Sequence, residues 1–108
     1  MSGLSTHVLD AVDGAPAAGM RVRLFRAEEG EIASGITDED GRIAALLGEP
    51  LPAAEYRLEF DTGDYFDAKN TPTFYPIVSI SFTVAGPAAH HHVPLLLSPF
   101  AYSTYRGS

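Results

Sequence analysis

Apolar side chains recur at every second position along most of this chain, and that period of two commits it to strands rather than helices. Met20, Val22 and Leu24 alternate with Arg21, Arg23 and Phe25, while Tyr56, Leu58 and Phe60 alternate with Glu55, Arg57, Glu59 and Asp61. From Ile77 to Val84, β-branched and aromatic residues are interleaved with Ser79, Ser81 and Thr83. Successive side chains of a strand leave opposite faces, so each stretch has one face for a core and one for water. Runs at 4–9, 31–36, 42–46, 93–97 and 102–106 bring the expectation to roughly eight strands.

Turn chemistry separates these runs: Asp13-Gly14 with Pro16, Glu29-Gly30, Asp40-Gly41, Gly48-Glu49-Pro50 and Gly86-Pro87. Short strands at this spacing pack as an antiparallel sandwich or barrel. Residues 62–70 break the rhythm, with no β-branched residue after Thr62. The sequence predicts one short helix there, with Asp64 as its N-cap and Asn70 at its end. A chain of 108 residues fits a single domain, 1–108, and can bury about two-thirds of its unfolded surface without staples.

The charge balance excludes one large class of partner. Seven Lys and Arg stand against fourteen Asp and Glu, a net charge of -7, and phosphate backbones require the opposite sign. An anionic ligand must then be held by a few placed arginines. The absence of cysteine removes disulfides, thiolate metal sites and thiol nucleophiles. Met1-Ser2-Gly3-Leu4-Ser5 lacks the features of a signal peptide, and no stretch approaches the ~20 apolar residues of a membrane span. Arg106-Gly107-Ser108 differs from a Ser-Lys-Leu address, so a soluble cytoplasmic protein without membrane attachment is expected.

All four histidines fall in two strands, His7 in the first and His90, His91 and His92 near the end. Alternation sends His90, His92 and Pro94 to one face and His91, Val93 and Leu95 to the other. Three consecutive histidines therefore do not meet one metal on a regular strand. His90 with His92 forms a feasible pair, but spacing marks no third ligand, so no metal site is assigned. Spacing alone leaves His7 and His92 open between edge-strand residues and general bases. It leaves Arg42, after the Asp40-Gly41 turn, open between a solvated charge and an anion ligand. Arg106 stands equally between a tail anchor and a site residue. His91 reads as a strand-end side chain in water. No Ser-His-Asp order or Gly-x-Ser-x-Gly elbow supports an acyl-enzyme.

Ser5-Thr6-His7-Val8-Leu9-Asp10, Asp40-Gly41-Arg42, His92-Val93-Pro94-Leu95-Leu96-Leu97-Ser98-Pro99 and Tyr105-Arg106-Gly107-Ser108 occur in this order along the chain. Together they resemble the 5-hydroxyisourate hydrolases, the enzymatic relatives of transthyretin, over essentially the whole length. Transthyretin itself lacks these histidines and this terminus. One departure is His91, where the family usually has Tyr.

The resemblance implies an all-β, transthyretin-like sandwich of two antiparallel sheets with one short helix, assembled as a homotetramer whose active sites line a central channel. It implies hydrolysis of 5-hydroxyisourate to 2-oxo-4-hydroxy-4-carboxy-5-ureidoimidazoline in urate catabolism, with no cofactor. His7, Arg42 and His92 would be catalytic, and Tyr105, Arg106, Gly107 and Ser108 would bind substrate. A neutral histidine can take a proton from water, and a guanidinium can hold an oxyanion. Which histidine is the base stays open. The competing expectation is a small-molecule carrier without catalysis, whose channel would be mostly apolar.

Overall fold

The computed structural model describes residues 3–86 and 90–107. Among the described residues nine strands and one helix follow one another as β1 (Gly3–Asp10), β2 (Ala15–Pro16), β3 (Arg21–Arg26), β4 (Gly30–Ile36), β5 (Arg42–Leu47), β6 (Ala54–Phe60), α1 (Thr62–Asp67), β7 (Val78–Val84), β8 (His90–Ser98) and β9 (Ala101–Thr104). They form two sheets. One runs β2-β1-β8-β9, with β5 also paired to β1, and the other runs β4-β3-β6-β7.

The alternation seen in the sequence decides which faces meet. Leu4 and Val8 of β1 and Leu95 and Leu97 of β8 are fully buried, as are Val22, Leu24, Leu58 and Phe60 of the second sheet. These belong to one continuous hydrophobic cluster. Each such side chain contributes about 1.5–3 kcal/mol by leaving water, which makes the register of β1 and β8 hard to slip. A shift by one residue would expose that whole set and bury the histidine face instead.

Two details depart from the strand pattern expected. The β1–β8 ladder is parallel, from Gly3↔His90 to Asp10↔Leu97, while the other pairings are antiparallel. The two strands are joined through the entire second sheet, so no hairpin constrains their direction. The last strand ends at Thr104 rather than Arg106. Pro94 brings no N–H to the ladder, so pairing lapses there and resumes in the same register where the Gly107 N–H donates to the His92 carbonyl at 2.8 Å.

The helix also begins earlier than expected. Asp61, not Asp64, occupies the N-cap position, and it makes no side-chain capping bond; Asp64 sits in the first turn, where its charge suits the helix dipole. The helix also ends earlier, at Asp67 with Ala68 as its C-cap, rather than at Asn70; Asn70 lies in the turn that follows, in the left-handed region at φ 54°. The Thr71 N–H then returns to the Phe66 carbonyl at 2.9 Å.

The helix is tied to β1 through Asp10, whose residue is only 1% exposed. Its Oδ2 accepts from the Tyr65 hydroxyl at 2.8 Å and from Lys69 at 3.2 Å, and its Oδ1 accepts from the Val12 and Asp13 amides at 2.9 and 3.3 Å. Lys69 also reaches Asp13. Burial pushes the Asp10 carboxyl up, but the hydrogen bonds led by Tyr65 outweigh it and hold the group below its ordinary range.

Candidate active site

Three strands place the site. In β1, Ser5, His7 and Leu9 share the face opposite to the core residues Leu4, Thr6, Val8 and Asp10. Across the antiparallel ladder His7 faces Arg42 of β5, and across the parallel ladder Ser5 faces His92 of β8. Directly paired residues lie on the same side of a sheet. His7, Arg42 and His92, separated by up to 85 positions in sequence, therefore come to one outer face.

The Asp40-Gly41 turn delivers Arg42 to that face. Asp38 Oδ1 accepts from the Asp40 and Arg42 amides at 2.9 and 3.0 Å, folding the segment back on itself. Gly41 holds φ 74°, and its carbonyl accepts from the Val8 N–H at 2.7 Å. A side-chain carbon at Gly41 would sit 2.4 Å from the Val8 carbonyl oxygen, so only glycine permits this approach.

His92 is held on two sides. Ser5 Oγ lies 2.7 Å from its Nδ1 and 2.8 Å from Nε2 of His90. On the other side Gly107 packs on the ring: a side-chain carbon there would lie 2.5 Å from His92 Cδ2. Burial, and then the charges of Arg42, His7 and His90, push the His92 pKa below the ordinary histidine value. The ring is therefore neutral at neutral pH.

Ser5 and His90 are the members that the motif did not single out. Spacing made His90 and His92 a feasible pair without assigning them a metal; here His90 Nε2 and His92 Nδ1 converge on one hydroxyl. The signal for Ser5 was the period of two, which puts it beside His7 on β1 and lets it face any histidine on the neighbouring strand.

His91 does not stand in water as expected. It is 8% exposed, and its Nδ1 is buried without a hydrogen-bond partner among the described residues. The alternation that turns it away from the His92 face turns it into the sandwich. There it lines a cavity of about 620 Å³ with Ile80, Phe82, Val93, Tyr105 and Arg106. Burial first, then the Arg106 and His90 charges, lower its pKa. Neither His7 nor Arg42 lines that cavity, although part of His92 does.

Tyr105 and Arg106 are exposed, Gly107 is half-buried against His92, and Ser108 lies outside the described residues. Arg106 acts on His91 electrostatically, whereas Arg42 acts on His92. The tail thus brings one arginine to the inter-sheet side of β8, while β5 brings the other to the outer side.

The sequence model of the HIUase/Transthyretin family matches residues 4–107. The chain is 49% identical to the 5-hydroxyisourate hydrolase of Caulobacter vibrioides over the full length of both, and 42% identical to that of Mus musculus over 99% of this chain and 96% of the mouse protein. Its fold superposes on the 5-hydroxyisourate hydrolase of Klebsiella pneumoniae with a TM-score of 0.90 at 40% identity, covering 99% of this chain and all of that one. Transthyretin of Sparus aurata gives the same TM-score, 0.90, at 33% identity over 99% of this chain and 97% of its own. The fold is common to the hydrolase and transthyretin, so the site side chains must separate them.

Proposed function

This chain belongs to the HIUase/Transthyretin family, and from that premise we propose that it hydrolyses 5-hydroxyisourate in urate catabolism on the face carrying His7, Arg42 and His92. The observation that carries the proposal is their convergence: two ladders bring two imidazoles and a guanidinium from three strands to one side of one sheet. A ring amide opens when a water is deprotonated, adds to the carbonyl carbon, and the charge on the carbonyl oxygen is held until the C–N bond breaks. Imidazole serves as base near neutral pH, and Arg42 supplies planar donors for the oxyanion. Water is the only co-reactant, and the reaction takes no cofactor.

In this reading Tyr105, Arg106, Gly107 and the terminal Ser108 bind the flat, polar substrate. Gly107 against His92 supports that role, because it brings the tail against the ring. A carrier would use an apolar wall; two histidines and an arginine on the face speak for chemistry instead.

The assembly in this reading is a homotetramer, in which a second copy closes the face into a channel. Leu96 on that face is 36% exposed, an apolar side chain beside the histidines that a second copy would cover. Cytoplasmic location completes the proposal; among the described residues no helix is long and apolar enough to cross a membrane.

Sedimentation combined with turnover tests enzyme and assembly together. A tetramer that accelerates ring opening of freshly made 5-hydroxyisourate is expected. An active monomer at micromolar concentration contradicts the assembly, and a tetramer that binds the compound without opening it favours the carrier.

A further inference from the structure

We infer that Ser5 and His90 are positioning residues that fix the tautomer of His92, so that His92 offers an N–H to the substrate and His7 is the base. The inference rests on the hydrolase reading of this face and deepens it by separating two histidines that the family resemblance leaves interchangeable.

The argument starts from proton counting. Ser5 Oγ sits 2.8 Å from His90 Nε2 and 2.7 Å from His92 Nδ1. A hydroxyl donates one proton and can accept twice. Among the described residues Ser5 Oγ has no third partner, so accepting from both rings would leave its own proton unmet. It therefore donates to one ring nitrogen and accepts from the other. With both imidazoles neutral, two arrangements remain. Either His90 Nε2–H donates to Ser5 and Ser5 donates to His92 Nδ1, or the whole chain runs backwards.

The far nitrogen of His90 chooses between them. His90 Nδ1 is buried and has no partner among the described residues. In the reversed arrangement that nitrogen would carry the proton, leaving a buried N–H donor unpaired. Orphaned buried N–H groups are rarer in proteins than unfilled acceptors, and an unmet donor forfeits its full hydration. The forward direction leaves only a lone pair unfilled. His90 therefore keeps its proton on Nε2, Ser5 donates to His92 Nδ1, and neutral His92 has its proton on Nε2.

A neutral imidazole protonated at Nε2 and accepting at Nδ1 has no lone pair to offer water. It is a hydrogen-bond donor on the same face of the sheet as Arg42, with which it would share the oxyanion. His7, facing Arg42 across the ladder and outside the Ser5 chain, takes the other role. Its imidazole removes a proton from water as the new C–O bond forms and the carbonyl electrons move to oxygen. The same proton then passes from His7 to the departing ring nitrogen as the C–N bond breaks, and no other reactant is consumed. The lowered proton affinity of His92 fits a ring that works as a neutral donor.

Long-range proton–nitrogen correlation spectra of the intact protein with labelled histidines read the tautomer directly. His92 in the wild type should show its proton on Nε2, and Ser5→Ala should convert it to a mixture, while Ser5→Thr, which keeps the hydroxyl, restores it. In turnover, Ser5→Ala should lower kcat by about tenfold or more with KM little changed, since a misplaced donor weakens the transition state more than substrate binding. Ser5→Thr should recover most of that loss. A His92 protonated on Nδ1 in the wild type, or a Ser5→Ala variant with the wild-type kcat, overturns the inference. Failure of the wild type to open 5-hydroxyisourate instead overturns the hydrolase reading, and the spectra still decide the tautomer.

Discussion

The α-carbon of Gly107 lies against the imidazole of His92, with the Gly107 N–H donating to the His92 carbonyl at 2.8 Å and no room for a side chain, which would come within 2.5 Å of the ring. Both the ring and the backbone behind it are thus in contact with the tail. Gly107→Ala must push either the imidazole or the tail aside. Displacement of a catalytic group by about 1 Å can lower a rate on the order of a hundredfold. The variant should melt within a few degrees of the wild type and lose most of its kcat. Wild-type kcat in this variant would show that the ring has slack the packing does not reveal.

Removing residues 105–108 tests the tail as a whole. The described part of this segment holds no core residue, and β9 ends at Thr104, so a chain stopping there should keep its circular dichroism spectrum. It should hydrolyse 5-hydroxyisourate very poorly, because Tyr105, Arg106 and the cover over His92 leave together. Full activity in the truncated chain would make the tail dispensable.

Asp10 concerns stability rather than chemistry. Its carboxylate is buried and receives four hydrogen bonds that join β1, the following turn and the helix. Asp10→Ala removes the acceptor of the Tyr65 hydroxyl and one of the two carboxylates that Lys69 reaches, and frees the turn amides. By comparison with broken buried charge pairs, a loss of about 3–5 kcal/mol in urea unfolding is expected. A loss below about 1 kcal/mol would mean that the cluster is as weak as a surface pair.

Acid should weaken the fold in two stages. His91 and His92 bind protons less readily when folded than their ordinary value of 6.5, so below that pH the unfolded chain takes up protons first. Their contribution is whole above 6.5 and declines as pH falls, until the folded rings also titrate. Asp10 is held below 3.8, so its contribution is present above that value and is lost as pH falls through the folded-state pKa. Chemical unfolding between neutral pH and pH 3 follows both stages. His91→Tyr should flatten part of the first stage and leave turnover nearly intact, because His91 faces the inter-sheet cavity. Unchanged acid sensitivity in His91→Tyr would remove His91 from this account.

Much of this was legible in the residues. The alternation at 20–25, 55–61 and 77–84 marks strands because burial on one side of a sheet has that period. His7, Arg42 and His92 carried their signal in the motifs around them. What the sequence could not show was pairing: nothing local says that β1 and β8 run parallel, so nothing local puts Ser5 beside His90 and His92. His91 was misjudged as a water-facing strand end because the edge of a sandwich depends on what the other sheet and the tail cover. The early helix start escaped for a similar reason: Asp61 occupies the cap position through chain geometry, without the side-chain bond that a capping motif advertises.

The most direct test of the central claim is the ultraviolet decay of 5-hydroxyisourate, generated fresh with urate oxidase, in the presence of the wild type, His7→Ala and His92→Ala. The wild type should accelerate decay well above the spontaneous rate, and each variant should be slower by roughly two orders of magnitude while remaining folded. Decay at the spontaneous rate with the wild type, or undiminished rates in both variants, would contradict the claim that this face of the sheet is a hydrolytic site.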